Sequence, residues 1–221
     1  MNVLIIGASR GLGFEFVRQY RAAGARITAT ARDDDALERL HAHGARALKL
    51  DVADAASVSG LAWLIDGERF DVVVINAGVY GPRTQGLETP TLADFDAVMH
   101  TNVLGPMRVL PQVAEALAPD ARVAILSSQM GAIAGRGSST GWLYRASKAA
   151  VNSVMKDASL ALAGRAIVVS FHPGWVRTDM GGAGADIDAA TSIAGMRTVL
   201  ASVKPADSGG FFNYDGMRLA W

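Results

Sequence analysis

Val3-Leu4-Ile5-Ile6-Gly7-Ala8-Ser9-Arg10-Gly11-Leu12-Gly13 begins with an apolar run, meets glycine at once, and leads into Phe14 to Ala23, where Phe14, Val17 and Tyr20 recur at helical spacing. Apolar residues without polar alternation are the pattern of a strand covered on both faces of a parallel sheet. A strand, a glycine turn and a helix in that order predict a loop whose backbone can approach an anionic group closely, with the helix N-terminus favouring the charge. The spacing is Gly-x-x-x-Gly-x-Gly rather than the common Gly-x-Gly-x-x-Gly, so the loop draws its weight from its placement.

The same alternation continues downstream. Ala25 to Ala31, Ala45 to Leu50, Asp71 to Ile75, Val123 to Ser127, Ala166 to Phe171 and Gly210 to Tyr214 read as strands. Asp54 to Ile65, Thr91 to Leu117, Leu143 to Leu162 and Asp188 to Ala201 read as helices between them, the second bent by Pro106 and Pro111. This order predicts an α/β fold: a Rossmann-type, doubly wound parallel sheet of about seven strands flanked by helices, as a single domain over residues 1–221. Right-handed crossovers then bring the C-terminal ends of the strands to one edge.

Composition narrows the partners. Lys+Arg and Asp+Glu are both 21, so no net field favours nucleic acid or an anionic membrane. Cysteine is absent, which excludes disulfides and thiolate metal sites, and no metal ligand set is expected. The N-terminus lacks the basic lead-in and long apolar region of a signal peptide, and no run approaches membrane-spanning length. A soluble cytoplasmic protein with a small-molecule partner is the expectation.

Candidate site residues stand where strands end. Ser128 follows the Val123 strand, and Tyr144 and Lys148 lie four apart on a predicted helix, one turn from each other on one face. A phenol titrates near about pH 10, and a nearby ammonium pulls that value down, which suits Tyr144 to general acid/base work. The Ser128 hydroxyl can hold a carbonyl or carbinol oxygen while the proton moves. Taken alone, such a pair is more often a packed ring and a solvated charge. Arg32, just beyond the second strand, can pair with a ribose 2′-phosphate, helped by Arg10, whereas an acidic residue would accept from the ribose hydroxyls. Asp33, Asp34 and Asp35 read as the start of the next helix. Asp51 suits an adenine contact or a helix cap, and on spacing the cap is the safer reading. Asn76-Ala77-Gly78 makes a sharp exit from the Asp71 strand, and Asn102 precedes the proline bend as either part of a proton path or a plain buried amide.

With these residues in view, the chain resembles the short-chain dehydrogenase/reductase family over essentially its whole length. Four motifs match in order: Gly7 to Gly13, Asn76-Ala77-Gly78, Ser128 with Tyr144 and Lys148, and Pro173-Gly174 with Thr178. Ser128-Gln129-Met130-Gly131 and Tyr144-Arg145-Ala146-Ser147-Lys148 look most like the small C-factor-like and sniffer-like carbonyl reductases. The resemblance implies that Tyr144 is the proton donor or acceptor, that Lys148 lowers its pKa and binds the nicotinamide ribose, and that Ser128 holds the substrate oxygen. It implies that Asn102 anchors a water linking Lys148 to solvent, and that Val176 and Thr178 fix the carboxamide. Gly7, Ser9, Arg10, Gly11, Leu12 and Gly13, with Arg32, Asp51, Val52, Asn76, Ala77 and Gly78, would hold the rest of the cofactor. NADP(H) is preferred, with NAD(H) possible, and a homodimer or homotetramer built on the Thr91 and Leu143 helices is implied.

The sequence departs from the family in three places. Ile6 stands where many members have Thr, which is expected to loosen the turn. Ser128 and Tyr144 are sixteen apart, so the Ala132 to Gly141 segment is expected to reshape the substrate side. Little chain lies between Thr178 and the last helix, which predicts an open pocket. Trp142, Trp175, Met130 and Met180 are candidates for its apolar wall. The expected activity is hydride transfer between nicotinamide and a carbonyl or secondary alcohol. The rivals are an NADP-binding regulator without turnover and a nucleotide-sugar epimerase.

Overall fold

The computed structural model describes residues 1–221. Seven parallel strands form one sheet in the order β3-β2-β1-β4-β5-β6-β7: β1 Asn2–Ile6, β2 Arg26–Ala31, β3 Arg46–Lys49, β4 Phe70–Ile75, β5 Leu117–Leu126, β6 Ala166–His172 and β7 Gly210–Asn213. The chain winds outward from β1 to β3, then restarts at β4 on the other side of β1. The order therefore reverses between β1 and β4, where a crevice opens beyond the strand ends.

Side-chain alternation along the strands divides the core in two. Val3, Ile5, Val72 and Val74 face α1 Gly11–Ala22, α2 Asp34–Ala42 and α8 Ala189–Ser202, whereas Leu4, Ile6, Val73 and Ile75 face the opposite layer. That layer contains α3 Ala55–Ser59, α4 Leu61–Leu64, α6 Gly105–Val113 and α7 Trp142–Ala161. Both faces are covered, which is why Val3 to Ile6, Val72 to Ile75 and Val123 to Leu126 read as unbroken apolar runs. No helix is long and apolar enough to cross a membrane.

Three predicted elements differ in detail. The Asp54 helix divides at Gly60 into α3 and α4, capped by the Asp54 carboxylate on Ala56 N. The Thr91 helix is α5 Leu92–Met99, a π turn His100–Leu104, and α6. Pro106 has no N–H to give the Asn102 carbonyl four residues back, and the ladder widens at that point. The helix then stops short of Leu117, which pairs with Phe70 at the start of β5, and a register shift follows before Arg122 meets Val72. Pro119 and Asp120, the latter at φ 58, lie within that irregular segment.

Candidate active site

The glycine turn after β1 is set by close approach. Gly7 has φ 85, and a Cβ there would lie 2.8 Å from the Ala77 backbone; one on Gly13 would collide with the Gly7 carbonyl oxygen. Gly13 thus seats α1 on the turn and is not itself on the cleft wall. The missing Thr does not leave the turn loose. Gly7 N donates to Thr30 Oγ1 at 3.0 Å, Ala8 N donates to the Thr30 carbonyl, and the Asn76 amide donates to the Gly7 carbonyl. Asn76 N and Ala77 N both donate to the Ile6 carbonyl, which ties the β4 exit to the β1 exit.

A cleft of about 200 Å³ lies over these exits, lined by Gly7, Ser9, Arg10, Gly11, Leu12, Ala77 and Gly78. Arg32, Asp51, Val52 and Asn76 stand on its wall as well. The Asp33 carboxylate caps α2 by accepting from Ala36 N, with Asp34 and Asp35 in the first turn, so all three belong to the helix as expected. Arg32 makes no ion pair with them, and its guanidinium stays exposed. The cap expected of Asp51 falls instead to Asp54; Asp51 accepts from Ala53 N and keeps an oxygen on the cleft. Arg10 is paired with Asp179 at 2.6 Å across the cleft mouth, so part of its charge is spoken for. These residues fit a dinucleotide: a glycine cradle too tight for side chains at an α-helix N-terminus, with a basic residue at the far end of the groove.

The cleft continues into a second space of about 800 Å³ that shares Leu12, Thr178 and Met180 with the first. Ser128 and Tyr144 stand on its wall, as do Pro173, Gly174 and Val176. Ser128 lies two residues beyond the end of β5, and its hydroxyl accepts from Met130 N. Gly131 carries the β5 exit against α7, since a Cβ there would lie 2.6 Å from the Lys148 backbone. That contact, which no pattern in the sequence signals, sets Ser128 against Tyr144. Met130, Trp175 and Met180 line the space as expected, whereas Trp142 does not: it lies at the start of α7 with its indole N–H buried and unpartnered. The Ala132 to Gly141 segment supplies one side of the wall.

Lys148 and Asn102 lie behind this wall rather than on it. The Lys148 ammonium sits 5.6 Å from the Tyr144 ring centroid and donates to the Leu126 carbonyl at 2.8 Å. A methyl on Gly78 would lie 3.3 Å from Asn102 Oδ1 and 3.4 Å from Lys148 Nζ, so the β4 exit runs in close contact with both side chains. Asn102 is fully buried on the π turn; its Oδ1 accepts from Val79 N, and its Nδ2 donates to the Val79 carbonyl and to Ser147 Oγ. Ser147 in turn donates to the Tyr144 carbonyl, which makes it the link from the β4 exit to α7.

Burial governs the titrations. It pushes the Tyr144 phenol up to about 12, against a hydrogen bond with Ser128 that favours the phenolate and a smaller upward push from Tyr80. The expected downward pull from Lys148 does not prevail, because the ammonium lies beside the ring and is itself pushed down to about 8 by burial. The phenol therefore keeps its proton at neutral pH. Tyr80, which the sequence did not single out, stacks on Tyr144 with centroids 4.5 Å apart.

A doubly wound sheet with a dinucleotide groove at its reversal point, leading to a buried Ser, Tyr and Lys, defines a nicotinamide-dependent oxidoreductase class. The chain belongs to the short-chain dehydrogenase family: residues 1–186 match the model described as short chain dehydrogenase. It is similar to the C-signal of Myxococcus xanthus, 39% identical over 154 residues that span 68% of this chain and 92% of the relative. It superposes on a short-chain dehydrogenase/reductase from Burkholderia multivorans with bound NADP, with TM-score 0.90, 33% identity and coverage of 100% and 99% of the two chains. The carbonyl reductase Sniffer of D. melanogaster matches with TM-score 0.92 and 29% identity over 100% and 99%.

Proposed function

We propose that the whole chain, residues 1–221, works as one NADP(H)-binding domain that reduces carbonyl groups on small molecules in the cytoplasm, as a homo-oligomer. NADPH supplies the hydride when bound. The Ser128 hydroxyl donates to the substrate oxygen, and Tyr144 delivers its proton to the same oxygen as negative charge develops there. The buried Lys148 ammonium stabilises the phenolate left behind, and Asn102 holds the wall on which Lys148 rests. Pro173, Gly174, Val176 and Thr178 confine the nicotinamide end, while the glycine turn takes the pyrophosphate and Arg32 the 2′-phosphate.

The observation that carries this reading is the buried Tyr144 phenol beside Ser128 on the wall of the larger cleft, continuous with the glycine groove. The bound NADP of the Burkholderia multivorans relative supports the cofactor. Tyr144→Phe is expected to lower NADPH oxidation with a carbonyl panel by about 100-fold or more while leaving NADPH affinity nearly unchanged. Normal turnover in that variant removes Tyr144 from the mechanism. The likeness to the C-signal favours a second reading, nucleotide-dependent signalling without turnover; tight NADPH binding with every carbonyl inert selects it.

A further inference from the structure

The larger cleft has a one-sided charge. The chain is neutral overall, yet the 25 residues lining this space include Arg83, Arg136 and Arg145 and no Asp or Glu. None of the three arginines forms an ion pair. Their donors reach only backbone carbonyls: Arg83 that of Met180, Arg136 that of Ala132 and Arg145 that of Thr140. A guanidinium has five N–H donors, so each keeps capacity for a planar oxyanion. The same wall carries the apolar side chains of Met130, Trp175 and Met180. The Arg83 guanidinium lies 5.0 Å over the Tyr80 ring, which stacks 4.5 Å from Tyr144, so a cation stands two contacts from the reacting phenol.

We propose that the substrate is an oxo acid: a carbonyl held at Ser128 and Tyr144, an apolar body of roughly four to six carbons along the methionine and tryptophan wall, and a carboxylate bound at the mouth by Arg83, Arg145 and Arg136. This rests on the carbonyl-reductase reading and names its substrate class. The carboxylate takes no part in the redox step; it orients the carbonyl and draws the substrate in.

The test pairs medium-chain ω-oxo acids with their methyl esters in NADPH oxidation by the intact protein. The acid is expected to exceed its ester in kcat/KM by about 5- to 20-fold at low salt, with the ratio shrinking as ionic strength rises. In Arg83→Gln and Arg145→Gln the acid-to-ester ratio is expected to fall toward one, chiefly through KM for the acid. Equal kcat/KM for acid and ester in the wild type overturns the oxo-acid assignment while leaving the reductase intact. A rise in KM for NADPH as large as that for the acid overturns it too, by assigning the arginines to the cofactor. If neither member of any pair is reduced, the oxo-acid class falls, while the reductase reading falls only if the whole carbonyl panel is inert as well.

Discussion

Lys148→Met separates what the site costs the fold from what it contributes to chemistry. The lysine is 4% exposed, and burial holds its pKa near about 8 against 10.5 for the free side chain. Between those values the unfolded chain binds the proton that the folded chain releases, so stability rises with pH across the window. The penalty is fully present below about pH 8 and is relieved as pH climbs towards 10.5. At roughly 1.4 kcal/mol per unit, the wild type should gain about 2 kcal/mol between pH 7.5 and 10. Above pH 10 the sign reverses, because burial raises Tyr144 and Tyr20 to about 12 and their unfolded phenols release protons first. Methionine keeps the apolar stem, loses the charge and leaves the Leu126 carbonyl without its donor. The lost bond costs about 1 kcal/mol, so the variant should be about 2 kcal/mol more stable than wild type at pH 7.5 and no more stable at pH 10. Urea melts of both proteins at several pH values, read as the difference in unfolding free energy, test this. A variant that is less stable at pH 7.5 and parallels the wild type in its pH slope refutes the claim that an ammonium is buried there at a cost.

Three further outcomes follow from the geometry. Gly13→Ala puts a methyl into the Gly7 carbonyl and the Asn76 amide; it should cost about 1 to 3 kcal/mol in a denaturant melt and abolish nucleotide binding, and a variant that binds NADPH normally removes the close-packing argument. Arg32→Ala should weaken NADPH by about 10- to 100-fold and NADH by little, measured by titration calorimetry; equal losses rule out the 2′-phosphate contact. His172, at the end of β6 with a buried and unpartnered Nδ1, is held down to about 4 by burial, partly opposed by Asp215. The unfolded chain takes up its proton first as pH falls, so stability should be lost between pH 6.5 and 4, by about 2 kcal/mol for a ring partly open to the cleft; His172→Gln should flatten that limb, and an unchanged acid limb excludes the histidine as its source.

Much of this architecture was legible because its signals are local. The β1–turn–α1 unit announces itself through an apolar run and three glycines, and the parallel sheet follows from central strands whose runs Val3 to Ile6, Val72 to Ile75 and Val123 to Leu126 are apolar on both faces. The placement of Asp33, Asp34 and Asp35 at the start of α2 was readable for the same reason: carboxylates there act on the backbone of the first turn, as Asp33 does on Ala36 N. The errors fall where a distant partner decides. Leu117 looked helical until Phe70 claimed it as a strand residue, and Asp51 yielded the cap to Asp54 once Ser57 bonded the Asp51 amide.

The site divides along the same line. Tyr144 and Lys148 share a helix face, so their proximity is a matter of spacing, but the charge state of the phenol is not. It depends on how deeply α7 is pressed against β5, and that depth is set by Gly131, whose role appears only when the Lys148 backbone lies against it. Asn102 shows the coupling most directly. Pro106 opens the helix to a π turn, the turn carries the amide to Val79 and Ser147, and Ser147 bonds the Tyr144 carbonyl. One proline thus positions the wall behind the lysine and the backbone beneath the tyrosine, an outcome that motif spacing cannot express because it is a property of two helices and a strand exit meeting at one buried amide.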